Sequence, residues 1–125
     1  MKSNLIAAMV AAVLIISAPI SAESGEVGIN TVYDSIKQGE TDWFSRYISS
    51  HTFDVYLIWY NPSSSLTLTL YSPSGDVYGP FRDSSDGVVD GKIALTVENA
   101  ERGVWYFRVY GERVSGVQHY SLTVL

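Results

Sequence analysis

Three groups of residues in the sequence could carry chemistry. The densest is Asp83-Ser84-Ser85-Asp86-Gly87-Val88-Val89-Asp90-Gly91, three carboxylates within eight positions and a glycine after two of them. Calcium takes roughly six to eight oxygens from carboxylates, carbonyls and water. Gly87 and Gly91 would let such a loop curl its carbonyls inward. Asp83, Asp86 and Asp90 are therefore the candidate calcium ligands, with Asp42 and Asp76 available if the fold brings them close. The spacing is not that of an EF-hand loop, which places acids at alternate positions and a glutamate twelfth. The same residues also read as a solvated turn, because Asp-Gly is favoured by turn geometry itself.

The second group is aromatic. The chain holds nine Tyr and three Trp, and several Tyr fall opposite the Leu/Val positions of alternating runs. Tyr56, Tyr71, Tyr106 and Tyr110, with Arg108 among them and Tyr60, Thr67 and Thr69 nearby, form a candidate ligand face. Flat rings stack on sugar rings or fill pockets of a protein partner. Cross-strand Tyr–Thr and Tyr–Arg pairs also stabilise sheets without any ligand, by about 0.2–1 kcal/mol each. Trp43, Trp59 and Trp105 are expected in the core or at its rim.

The third group is catalytic only on paper. His51 and His119 each lie near a turn, and serines and acids are plentiful. The sequence contains no Gly-x-Ser-x-Gly elbow, no His-Glu-x-x-His and no phosphate-cradling glycine loop before a helix. Ser74 sits in Pro-Ser-Gly-Asp, which is turn composition. Nothing singles out a carboxylate pair for glycoside hydrolysis. The expected histidines are surface residues, and a small secreted hydrolase ranks last among the functions.

Composition narrows the choice further. The 125 residues contain no cysteine, which excludes a disulfide scaffold, thiol chemistry and Cys-ligated metal. Thirteen acidic residues oppose eight basic ones, and the net charge of -5 shows no basic patch for nucleic acid. Met1-Lys2, the apolar run Leu5 to Ile16 and Ser17 to Ala22 have the three-part layout of a secretory signal peptide. The expected cut follows Ala22 and removes Lys2, leaving seven basic residues against the thirteen acids. The apolar run is short of the roughly 20 residues that span a bilayer. The rival reading is an uncleaved anchor. Residues 23–32 are expected to be a flexible lead-in and residues 33–125 one domain, secreted or extracytoplasmic, with no membrane span after cleavage.

The elements that position these groups read as strands. The runs are Trp43–Ser49, Thr52–Tyr60, Leu66–Tyr71, Val77–Phe81, Lys92–Val97, Val104–Tyr110 and Gln118–Leu125. Turn residues separate them, and the pattern is one of short alternating runs, with Val77–Phe81 a short strand or edge. Pro80 bars Val77–Phe81 from a central place in a sheet. Seven or eight short strands in about 100 residues predict an all-β antiparallel sandwich, jelly-roll-like in type. The inward rows are Phe53, Val55, Leu57 and Trp59; Leu66, Leu68 and Leu70; Ile93, Leu95 and Val97; Trp105, Phe107 and Val109; and Tyr120, Leu122 and Val124.

Four stretches together resemble the pre-peptidase C-terminal (PPC) domains of bacteria and archaea. They are Ile36-Lys37-Gln38-Gly39-Glu40-Thr41-Asp42-Trp43-Phe44, Leu66 to Gly75, Gly103 to Gly111 and Tyr120 to Val124. In order they correspond to the Gly–Asp–aromatic opening, the strand with its Pro-x-Gly turn, the Gly–aromatic strand and the closing Tyr strand. The resemblance spans Tyr33 to Leu125. It implies a secreted, non-catalytic β-sandwich that accompanies exported enzymes and in some members binds calcium, collagen or polysaccharide. Here the similar unit fills the expected mature chain, so the role of enzyme appendage does not carry over directly. The expected function is a secreted accessory or binding module, with calcium as candidate cofactor. The alternative is a carbohydrate- or protein-binding module that uses the Tyr face without metal. An extracellular protein or polysaccharide is the expected partner, and the expected state is a monomer or weak oligomer.

Overall fold

The structure is a computed structural model describing residues 30–83 and 87–125. The expected signal peptide, residues 23–29 of the lead-in, and Asp86 of the acidic loop lie outside the described residues. Eight strands follow in order: β1 (Thr31–Lys37), β2 (Thr41–Ile48), β3 (Phe53–Ile58), β4 (Ser65–Tyr71), β5 (Val77–Arg82), β6 (Lys92–Val97), β7 (Gly103–Arg113) and β8 (Val117–Val124). Sheet one has the order β1-β8-β3-β6 and sheet two the order β2-β7-β4-β5. All pairings are antiparallel. Every connection except the β4–β5 hairpin passes from one sheet to the other, which is the jelly-roll wind. Pro80 lies on β5, an edge strand, where no ladder bond is lost.

Alternation built the interior. Leu66, Leu68 and Leu70 face Phe53, Val55, Leu57, Trp105, Phe107 and Val109 in one buried cluster that also takes in Ile36, Ile93, Leu122 and Val124. Fully burying one such side chain stabilises the fold by about 1.5–3 kcal/mol. Phe53 meets both Trp105 and Phe107 edge-on, with centroids 5.1 and 6.3 Å away, so aromatic geometry helps register one sheet on the other. The two buried indoles keep their N–H groups satisfied. Trp105 donates to the Glu101 carbonyl at 2.8 Å, and Trp59 to those of Asn61 and Ser64 at 2.9 and 3.1 Å.

Two expectations change. Strand β1 was not expected, and Thr31 and Val32 belong to it and not to a lead-in. Only Ile36 of β1 is buried, so an edge strand with one apolar anchor lacks the alternation that marks the others. Trp43 is not in the core. It stands opposite Arg108 in register, faces outward and is 53% exposed, while its neighbour Phe44 packs inward against Tyr120.

The inner side of edge strand β2 is partly polar. Tyr120 of sheet one donates to the Asp42 carboxylate at 2.6 Å. Arg46 donates to the Val124 carbonyl at 3.1 Å and to Asn30 Oδ1. These bonds tie β2 to the opposite sheet, and inward charges on an edge discourage further strand pairing. Burial raises the Asp42 carboxyl above its ordinary range; the Tyr120 hydroxyl opposes that rise, and Asp34 and Glu40 add to it. The Tyr120 phenol is pushed far up, first by burial and then by Asp42.

Candidate functional site

The outer surface of sheet two collects most of the expected aromatic face. Register places Trp43, Arg108 and Thr69 in one cross-strand row, Ser45, Tyr106 and Tyr71 in the next, and Thr41, Tyr110 and Thr67 in a third. Tyr71, Tyr106, Arg108 and Tyr110 thus share one face. Trp43 and Tyr47 join them, and Tyr47 is 59% exposed. Trp43 and Tyr71 belong to strands separated by β7, yet their ring centroids are 5.3 Å apart, so the two rings bridge over that strand. The Arg108 guanidinium lies 5.3 Å from the ring centroid of Tyr110, two residues along β7 on the same face, a cation–π geometry.

Thr67 and Thr69 point outward as expected, yet each is only 3% exposed. The larger side chains around them roof them over. Among the described residues the Thr69 hydroxyl has no hydrogen-bond partner. A buried unmade hydrogen bond costs about 1–3 kcal/mol, so the floor of this face holds an unsatisfied polar group. Trp43 was missed because an indole in a strand is more often interior. The available signal was the phase of Ile48 and Phe44: counting by twos from these apolar positions leaves Trp43 on the outer side.

Tyr56 does not belong to this face. It lies on β3 beside Ala94 and Thr123, on the outer side of sheet one, across the sandwich from the other four residues. The sequence shows which way a residue points within its strand but not which sheet owns the strand.

In its described part the acidic loop is organised around Asp83. Asp83 is 6% exposed. Its Oδ1 accepts the Asp90 amide at 3.2 Å and the Lys92 amide at 3.5 Å, and its Oδ2 accepts the Gly91 amide at 2.7 Å. Backbone donors of the loop thus account for its burial. Among the described residues no group of three or more His, Cys, Asp or Glu side chains gathers as a metal cluster. Asp90 is exposed, and Asp86 lies outside the described residues.

The consequence of the Asp83 bonds runs to Tyr60. The Gly91 carbonyl accepts the Trp59 and Tyr60 amides at 2.8 and 3.0 Å. A Cβ on Gly91 would sit 2.6 Å from the Asn61 nitrogen and 2.8 Å from the Tyr60 Cα, so only glycine fits there. Held by this contact, Tyr60 takes φ = 59°, a left-handed conformation that costs a non-glycine residue about 1–3 kcal/mol. His51 and His119 are exposed, and among the described residues neither imidazole bonds a serine or a carboxylate.

An uncharacterised protein of Archaeoglobus fulgidus is 64% identical to this chain over 55 residues, 44% of this chain and 80% of that protein. The chain belongs to that protein's family. No family model matches the chain. Among the described residues no helix is long and apolar enough to cross a membrane.

Proposed function

We propose that this is a non-catalytic, extracytoplasmic binding module of the PPC type, whose outer sheet-two face takes an extracellular protein. The observation that carries the reading is the bridged pair Trp43 and Tyr71, part of an exposed surface with Tyr47, Tyr106 and Arg108. Trp, Tyr and Arg are the residues enriched at the energetic centres of protein interfaces. A flat sheet face offers them as rigid anchors at low entropic cost. The PPC part rests on the order and spacing of the four stretches between Ile36 and Val124. The apolar leader supports export.

The test is retention of the full chain on fibrillar collagen and on insoluble polysaccharide, in EDTA and in calcium. Retention on collagen in EDTA, lost in the Trp43→Ala/Tyr106→Ala variant, is the expected result. Retention on polysaccharide alone would move the reading to carbohydrate. Retention only in calcium, lost in Asp90→Ala, would return it to the acidic loop.

A further inference from the structure

We infer that edge strand β6 is a self-pairing edge, through which two copies of this chain join their four-stranded sheets into one continuous sheet. The other three edges are guarded. On β1, Asp34 shares the inward phase of Ile36, and on β2 Asp42 and Arg46 share that of Ile48. Strand β5 carries Pro80, and its pairing with β4 shifts register between Leu68 and Leu70. Inward charge, proline and bulges are the devices that stop a sheet edge from taking another strand. Strand β6 has none of them. It pairs with β3 without a register shift, Ile93, Leu95 and Val97 turn inward, and Ala94 and Thr96 turn outward. Among the described residues β3 is its one neighbour in the sheet.

The free side of β6 offers backbone groups in a defined phase. Asp54 of β3 exchanges backbone bonds with Leu125 at 3.1 and 2.9 Å, on the side away from β6. The residues of β3 that bond β6 are then Phe53, Val55 and Leu57, and their partners are Val97, Leu95 and Ile93. Ala94 and Thr96 therefore turn their amides and carbonyls to the open edge. The Lys92 amide also faces that edge, where Asp83 accepts it at 3.5 Å, so new pairing starts at Ala94.

The occupant follows from the sequence Lys92-Ile93-Ala94-Leu95-Thr96-Val97-Glu98, which is complementary to its own reverse. An antiparallel copy centred on Leu95 sets Ala94 against the partner's Thr96, Ile93 against the partner's Val97 and Lys92 against the partner's Glu98. The two-fold axis repeats each pair. Ala94 and Thr96 supply the hydrogen-bonded pairs. Leu95, half-buried in a single copy, meets the partner's Leu95 on the inner side. Lys92 and Glu98 form two cross-strand pairs of opposite charge on the outer side, which favours this register. Sliding the copies by two residues keeps the backbone in phase but separates both pairs, and in one direction sets Glu98 against the partner's Asp90. The axis stands perpendicular to the sheet, so both copies carry sheet two on the same side. The dimer does not rest on the sheet-two reading; a bivalent surface made by it does.

The test is sedimentation velocity of the full chain up to about 0.2 mM, which saturates a micromolar dimer. A monomer–dimer equilibrium that stops at two copies is expected, because a two-fold contact closes. Lys92→Glu should weaken it about tenfold or more by setting like charges opposite, and Lys92→Glu/Glu98→Lys should restore it. Ala94→Pro should abolish it with a melt close to wild type, since the amide removed faces the open edge. Trp43→Ala/Tyr106→Ala should leave it intact, so failure of the dimer and failure of the sheet-two face are read separately. A monomer at every concentration, assembly beyond two copies, or association unchanged in both Lys92→Glu and Ala94→Pro would overturn the inference.

Discussion

The two outer faces of the sandwich obey the same alternation and end with unlike chemistry. On sheet two, side chains close over the sheet: Trp43 reaches Tyr71 across β7, and Thr67 and Thr69 are sealed beneath. On sheet one, Tyr33 and Tyr60 are largely exposed beside an open depression of about 600 Å³ whose lining includes Ser35, His119 and Ser121. Period-2 patterning decides what faces out; side-chain size and strand order decide whether the outward surface is a roof or a trough. A roof of Trp, Tyr and Arg suits a broad partner, and a trough suits a small one.

The largest expected effect removes the interior on which both faces rest. Leu68→Ala or Trp105→Ala should cost about 2–5 kcal/mol by leaving a cavity, read as a large fall in melting temperature. An unchanged melt would mean the strand faces are inverted, since a one-residue slip exchanges every side chain.

The tie between the sheets comes next. Tyr120→Phe removes a buried hydrogen bond to a carboxylate and should cost about 1.5–3 kcal/mol at neutral pH. The phenol's ordinary value is 10.0 and the fold raises it, so its contribution is full below pH 10 and lost as pH climbs further. Alkaline melts should therefore converge for wild type and Tyr120→Phe. Curves that stay parallel would mean the bond does not couple to ionisation. Asp42 acts in the same sense at the acid end: its raised carboxyl favours the fold most below 3.8 and less as pH rises. Glu112 acts oppositely, because Arg82 and then Ser65 lower it, and its contribution fades as pH falls below 4.5.

Smaller effects distinguish the faces directly. Trp43→Ala unroofs sheet two and should lower the melting temperature slightly, whereas Tyr60→Asn on sheet one should not lower it at all. A clear fall for Tyr60→Asn would mean its ring supports packing and the trough is not open. The smallest shift is expected from calcium. Asp83 is occupied by three amides, so melts in EDTA and in millimolar calcium should superimpose, and Asp83→Ala should fall equally in both. A rise of several degrees in calcium, lost in Asp90→Ala, would make the loop a metal site.

Much of this fold was legible because apolar residues recur at every second position in β3, β4, β7 and β8. Edge strand β1 was not, since a strand with one buried anchor reads as loop. The candidate face was legible in part. Tyr71, Tyr106, Arg108 and Tyr110 share a face because β4 and β7 are neighbours, and their outward phase was visible in the sequence. Tyr56 has the same phase on the other sheet, and strand order is a long-range property that local pattern does not encode. Trp43 could have been placed by counting from Ile48 and Phe44, but the indole's own hydrophobicity argued for the interior. The strain at Tyr60 had no local signal at all, because it arises from Gly91, thirty-one residues later in the chain.

The most direct test of the binding account is the affinity of the full chain for immobilised fibrillar collagen in EDTA, measured beside Trp43→Ala/Tyr106→Ala with matched melts. Saturable binding that drops about tenfold or more in the variant is the result expected for a sheet-two ligand face. Equal binding by both proteins, or none by either, would contradict it.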